Sequence, residues 1–263
     1  MLLAAIAAGL FAQLEQLRPA PGASGGSMVS LPFDRKDLPA TCRTVDFEGS
    51  SNIVCEVDLR SFDVRLGLYG ADGKPYGSLT SFIAGQSASA RLVLSMNAGM
   101  YEPDMTPVGL YVEEGKTIAP LNTGEAPGNF YMKPNGVFFV AKDGTAGVVS
   151  TEAYAKAAPV VRIATQSGPM LVINGEVHPR FEPNGTSRYI RNGVGVRDSN
   201  TIVLAISTEP VSLGRFARLF RDELGCPNAL FFDGMISALS NDRNVLLGGT
   251  DPVGPILAVY EKS

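Results

Sequence analysis

Between Thr201 and Asp233 the sequence leaves the backbone few paths. TIVLAIS is an apolar, β-branched run that reads as a strand. Ser212 then caps a helix on which Leu213, Phe216, Phe220 and Leu224 share one face. Gly225 falls just past the helix end, and Pro227 cannot extend it. ALFF is a second buried strand, closing on Asp233-Gly234. Strand, helix and strand joined this closely predict a parallel crossover unit, right-handed by default. Asp233 is thereby expected at the carboxyl end of its strand, the edge where open sheets present ligands.

Elsewhere the pattern is of hairpins. NIVCEVDL and FDVRLGLY alternate, while RLVLSM is a continuous apolar strand that stops at Asn97-Ala98-Gly99. VGLYV, VFFVA, MLVIN and PILAVY are further short strands, with turns at Asp72-Gly73, Glu114-Gly115, Lys142-Asp143-Gly144 and Asn174-Gly175. Ser150-Thr151-Glu152 opens a short helix with a hydroxyl cap and an early acid. The expected class is α+β: a single domain with a mixed, strand-rich sheet, several hairpins and at least one βαβ crossover.

A chain of 263 residues can bury a sizeable core, and no long linker after residue 40 divides it, so residues 27–263 are read as one domain. Residues 1–26 begin MLLAAIAAGLFA, too short an apolar run to span a bilayer but suited to a signal-peptide core. No Lys or Arg precedes that run, which keeps a misassigned start or a short membrane anchor as competing readings. The expected address is periplasmic or secreted, with no stable membrane span after processing. Cys42 and Cys55 flank a turn at Gly49-Ser50-Ser51-Asn52, so paired strands could join them as a disulfide, which fits an oxidising compartment. Cys226 reads as a buried free thiol. Three cysteines and one histidine argue against a tetrahedral zinc site, and the net charge of −4 argues against a nucleic-acid partner.

The polar residues that remain lie at strand ends and turns. The stretch QSGPMLVINGEVHPRFEPNGTSRYIRNGVGV holds the only histidine, His178, with Arg180, Arg188 and Arg191, and reads as one wall of an anion site. His178, beside Pro179, is expected at an exposed or half-buried strand end. No Walker A sequence is present. Asn97, Asn135, Ser167, His178, Arg188, Arg191 and Asp233 instead offer guanidinium groups with a carboxylate. Such a set suits breaking a bond whose leaving group is a phosphate. Arginine neutralises the departing anion, a carboxylate stabilises positive charge on a sugar carbon, and histidine moves a proton. Asp233, Glu102, Asp104 and asparagine oxygens could hold a divalent cation such as calcium, although no loop has EF-hand spacing. Whether a metal takes part is left open.

NAGMY, TPVGLYV, NFYMKPNGVF, QSGPMLVINGEVHPRF, IRNGVGV and GCPNALFFDGMIS occur in that order. As an ordered set, spanning about Val54 to Tyr260, they resemble the phosphodiester glycosidase family, that of the mammalian uncovering enzyme, and most of all its small exported bacterial branch. The resemblance implies an α+β fold and hydrolysis of a sugar-1-phosphodiester in an envelope or extracellular glycan. By the motifs it implies a site that includes Asp233 and Arg191, with His178 in the bacterial branch's HPRF segment, and these three are read as catalytic. Asn97, Asn135, Ser167, Gly168, Lys133, Arg188 and Ser237 follow as substrate-binding residues. One departure stands out: the uncovering enzyme's glycine-rich DGGGS is here Asp233-Gly234-Met235-Ile236-Ser237, and Met235 and Ile236 are expected to narrow the site. The alternative is a non-catalytic protein that binds anionic glycans through Arg188 and Arg191.

Overall fold

A computed structural model describes residues 34–262 apart from residue 88. The expected leader, residues 1–26, lies outside the described residues. Strands β1 (Cys42–Phe47), β2 (Ser50–Asp58) and β3 (Phe62–Gly67) lead into helix α1 (Leu79–Ala84). Next come β4 (Leu92–Asn97), β5 (Tyr111–Glu113), β6 (Lys116–Ala119), β7 (Gly136–Ala141) and β8 (Ala146–Ser150). Helix α2 (Thr151–Ala157) precedes β9 (Val161–Ser167), β10 (Met170–Ile173), β11 (Glu176–Val177), β12 (Asn192–Asp198) and β13 (Thr201–Ser207). Helix α3 (Leu213–Arg218), extended by a π turn over Leu219–Glu223, is followed by β14 (Asn228–Asp233), β15 (Leu239–Asn241), β16 (Val245–Leu247) and β17 (Ile256–Glu261).

Three sheets result, in the orders β1-β2-β13-β12-β14-β10-β11, β16-β15-β4-β17-β3 and β6-β5-β9-β7-β8. They share one core, in which Ile53 and Leu230 of the first sheet meet Met96 and Leu257 of the second and Phe138 and Ile163 of the third. The class is α+β, as expected from the sequence. The crossover also exists, but β12 lies between its two strands and pairs antiparallel with both β13 and β14. All strand pairings among the described residues are antiparallel, so the expected mixing of directions survives only between strands that are not neighbours.

β14 shows why this region is so apolar. Leu230 and Phe232 face the shared core, while Ala229 and Phe231 face α3, whose Phe216 and Phe220 complete the outer layer. Burying each of these Leu and Phe side chains contributes roughly 1.5–3 kcal/mol. Gly195 of β12 lets the helix end close down, since a Cβ there would lie 2.6 Å from Cys226 Sγ. The strand therefore emerges from its packing only at its two ends, Asn228 and Asp233.

Turn chemistry sets the hairpins locally. At Asn174-Gly175 both residues take positive φ, 49° and 86°, the conformation that Asn-Gly accepts most readily. The β1–β2 turn also has positive φ, but at Glu48-Gly49, earlier than the Gly49–Asn52 turn read from sequence. The register still places Cys42 opposite Cys55, and the two form a disulfide across 13 residues of sequence. Closing a loop of this size stabilises by about 3 kcal/mol in the chain-entropy account. The Cys42→Ser/Cys55→Ser double variant should therefore melt well below the parent, and thiol reduction should lower the parent's Tm by a similar amount but leave the variant's unchanged.

Candidate active site

Strand ends from all three sheets meet at one edge. Asn97 ends β4, Ser167 ends β9 and Asp233 ends β14, while Asn192 begins β12 directly opposite Asp233. All but Asp233 are buried, so their polar groups must be paired. Asn192 Nδ2 donates to the carbonyl and Oδ1 of Asn97 at 2.8 and 2.9 Å. Its Oδ1 accepts from the Asp233 N–H at 3.2 Å and the Ser237 hydroxyl at 3.3 Å. Asn97 Oδ1 also accepts from the Ala238 N–H at 2.9 Å, and Ser167 Oγ donates to the Phe232 carbonyl at 3.0 Å. The network thus fixes both sides of the Asp233–Ser237 turn.

Inside that turn Asp233 Oδ1 accepts three backbone N–H groups, from Gly234 at 2.6 Å, Met235 at 2.8 Å and Ile236 at 3.3 Å. Burial raises the Asp233 pKa above the usual carboxylate value; the three amides and Arg191 oppose that shift without cancelling it. Its other oxygen takes no hydrogen bond from the described residues and is left for the cleft.

Arg191 lies beside this turn and is 1% exposed. Its Nε donates to the Val211 carbonyl at 2.8 Å and Nη2 to the Ser187 carbonyl at 3.0 Å. Nη1 is buried without a partner. Gly234 makes room for it, because a Cβ at that residue would lie 2.9 Å from Nη1. Burial lowers the Arg191 pKa to about 10, so the group stays cationic at neutral pH. No carboxylate forms an ion pair with it among the described residues. The rings of Tyr189 and Phe231 flank it at 5.5 and 5.4 Å instead.

These groups underlie a cleft of about 630 Å³ lined by Asp233, Arg191 and Ser187, with Tyr101, Phe130, Tyr131 and Tyr189 as aromatic walls. Burial, and then the nearby Asp233 charge, push the Tyr101 pKa up to about 12. Glu102 and Met235 also line the cleft. Met235 is 79% exposed, so the side chain that stands where the uncovering-enzyme pattern has glycine lies on the rim rather than filling the floor.

Of the residues picked out from sequence, Arg191, Asp233 and Glu102 line the cleft. Asn97, Ser167 and Ser237 lie beneath it as supports rather than as substrate contacts. Asn135 and Gly168 stand behind the aromatic wall. Asn135 Nδ2 donates to the Phe130 carbonyl at 2.9 Å, and a Cβ on Gly168 would lie 2.6 Å from that same oxygen. Lys133 forms an ion pair with Glu125 at 3.2 Å, and Arg188 is exposed; neither lines the cleft. Among the described residues no three His, Cys, Asp or Glu side chains gather at one point, so Asp233, Glu102 and Asp104 do not make a metal cluster. Sequence reasoning passed over Asn192, whose signal was a polar amide set inside an apolar strand, and Tyr101 and Tyr189.

His178 requires correction. It is 1% exposed rather than at an open strand end, and it borders a separate cavity with Phe181, Pro183 and Arg218. It stacks on Phe181 at 4.6 Å, and its Nδ1 accepts from the Arg180 N–H at 3.2 Å. Burial lowers its pKa below the usual imidazole value, an effect that the Lys133 backbone only partly offsets, and Nε2 has no well-aligned partner. The imidazole therefore lies in the interior beside a different cavity and does not line the cleft that holds Asp233. His178→Phe should cost about 1 kcal/mol of stability through the lost acceptor and leave kcat/KM within about threefold, whereas losing a general base would cost roughly 10²–10⁴.

The profile described as phosphodiester glycosidase matches residues 90–260. The uncharacterized protein YigE of Escherichia coli K12 is 36% identical over 167 residues, covering 64% of this chain and 65% of that protein. The chain thus spans just under two thirds of that relative. Among solved structures, the zebrafish N-acetylglucosamine-1-phosphodiester alpha-N-acetylglucosaminidase catalytic domain, auto-inhibited by its pro-peptide, superposes with a TM-score of 0.60 at 15% identity. That match covers 84% of this chain and 82% of the zebrafish one. A hypothetical protein from Synechocystis gives a TM-score of 0.56 at 15% identity, over 84% of this chain and 61% of its own. At such identities these structures show the shared fold.

Proposed function

The chain belongs to the phosphodiester glycosidase family, and from that premise we propose that it is an exported hydrolase that cleaves the glycosyl–phosphate bond of a sugar-1-phosphodiester. The observation that carries the reading is the buried Arg191 guanidinium, unpaired at Nη1 and adjacent to the Asp233 turn. A buried guanidinium with no contact ion pair, only partly offset by the nearby Asp233 charge, attracts an anion. Nη1 lies just below the cleft surface, so a phosphate oxygen reaches it when the exposed Tyr189 ring or the Gly234-Met235 turn shifts. The bond from the anomeric carbon to the bridging oxygen then breaks, and its electron pair stays on the phosphate. The free oxygen of Asp233 stabilises the positive sugar carbon and takes the proton of the incoming water. The aromatic walls suit a sugar ring, and the Cys42–Cys55 disulfide supports an oxidising compartment.

Purified protein incubated with a panel of hexose-1-phosphodiesters should release free reducing sugar and a phosphomonoester. Folded protein that turns over none of them would remove the hydrolase reading and leave the glycan-binding one.

A further inference from the structure

The charges around the cleft are unequal in number. Among the described residues that line it, Arg191 is the cation, and Asp233 and Glu102 are the carboxylates. Arg191 has already spent Nε and Nη2 on the Val211 and Ser187 carbonyls, so Nη1 alone can serve a ligand. The three turn amides that would otherwise receive an anion are taken by Asp233 Oδ1. Nearby cations do not make up the deficit: Lys133 is paired with Glu125, and Arg180 and Arg188 do not line the cleft. Glu102 is exposed, forms no ion pair among the described residues, and is held in place by its backbone N–H, which donates to the Thr106 carbonyl at 2.8 Å.

We infer that Glu102 is a specificity-determining residue that restricts this cleft to ligands carrying one negative charge. The inference rests on the phosphodiester reading above and sharpens it. A phosphodiester is a monoanion and matches the single free guanidinium position. A phosphomonoester or a nucleoside diphosphate carries a second charge that meets Glu102 and Asp233 with no second cation to balance it. Hydrolysis itself creates that second charge. The carbon–oxygen bond breaks with its electrons left on the phosphate, water supplies hydroxide to the sugar carbon, and a proton is released. The monoester formed, with a second pKa of about 6, is a dianion at pH 7.5. The cleft thereby expels its own product.

The test uses the full chain at pH 7.5 and fixed moderate salt, with a hexose-1-phosphate methyl diester and the corresponding hexose 1-phosphate. The diester should show a KM at least about tenfold below the Ki of the monoester. Glu102→Gln should tighten monoester inhibition about three- to tenfold, with kcat within twofold and Tm unchanged, since the side chain is exposed. An unchanged Ki in Glu102→Gln, or a parent protein that holds the monoester as tightly as the diester, overturns the inference while leaving the hydrolase reading intact. If no diester is turned over, the hydrolase reading fails, and calorimetric titration of the same two ligands still decides the charge preference.

Discussion

Replacing Asp233 with Asn is expected to lower kcat/KM for a sugar-1-phosphodiester by about 10³-fold or more, near 4 kcal/mol of transition-state stabilisation, while substrate binding persists. The amide oxygen of Asn can still accept the three turn N–H groups that Oδ1 accepts now, so the turn keeps its shape. Only the charge and the basic oxygen are lost. The stability effect has the opposite sign. Burial raises the Asp233 pKa in the fold, so the stability this group contributes is full below its unfolded pKa and falls as pH rises through the folded one. Asn removes that loss, and the variant's Tm at pH 7–8 should equal or exceed the parent's, the gap closing as pH drops below about 4. Melting curves and initial rates on the same preparations check both parts. Activity within tenfold of the parent would dismiss Asp233 as the acting carboxylate.

Arg191→Lys should be costly in both respects. The guanidinium reaches Val211 and Ser187 from two different nitrogens, which one ammonium nitrogen cannot reproduce. Losing or misaligning those bonds should remove about 1–3 kcal/mol of stability. Diester binding should weaken about 100-fold, near 2.7 kcal/mol, seen as a rise in KM. A lysine variant with an unaltered KM would mean that the unpaired Nη1 does not meet the phosphate.

What was legible in the sequence was local. Ser212, Gly225 and Pro227 bound the helix region because capping and chain-breaking act over a few residues, and Asn174-Gly175 fixed a hairpin by its own backbone preference. The insertion of β12 between β13 and β14 was not legible, because the crossover's ends say nothing about which strand fills the space between them. The site followed the same division. Asp233 could be placed by its strand end, but its raised pKa depends on the turn and burial that the whole fold supplies. Asn97, Ser167 and Ser237 were legible as members of the set but not as groups buried beneath the cleft, since a buried support and a substrate contact look alike until their partners are seen. His178 drew attention by being unique, yet Phe181, three residues on, supplies the stacking partner that makes it part of the interior.

The place of β17 bears on how such a protein is made. Ile256–Glu261 pairs on one side with β3 and on the other with β4, which ends in Asn97. Until a ribosome has produced that segment, β3 and β4 have no shared neighbour, and the second sheet cannot close. Contacts between residues this distant in sequence also form slowly. Asn97 therefore has no completed sheet to anchor it until nearly all the described residues have been synthesised.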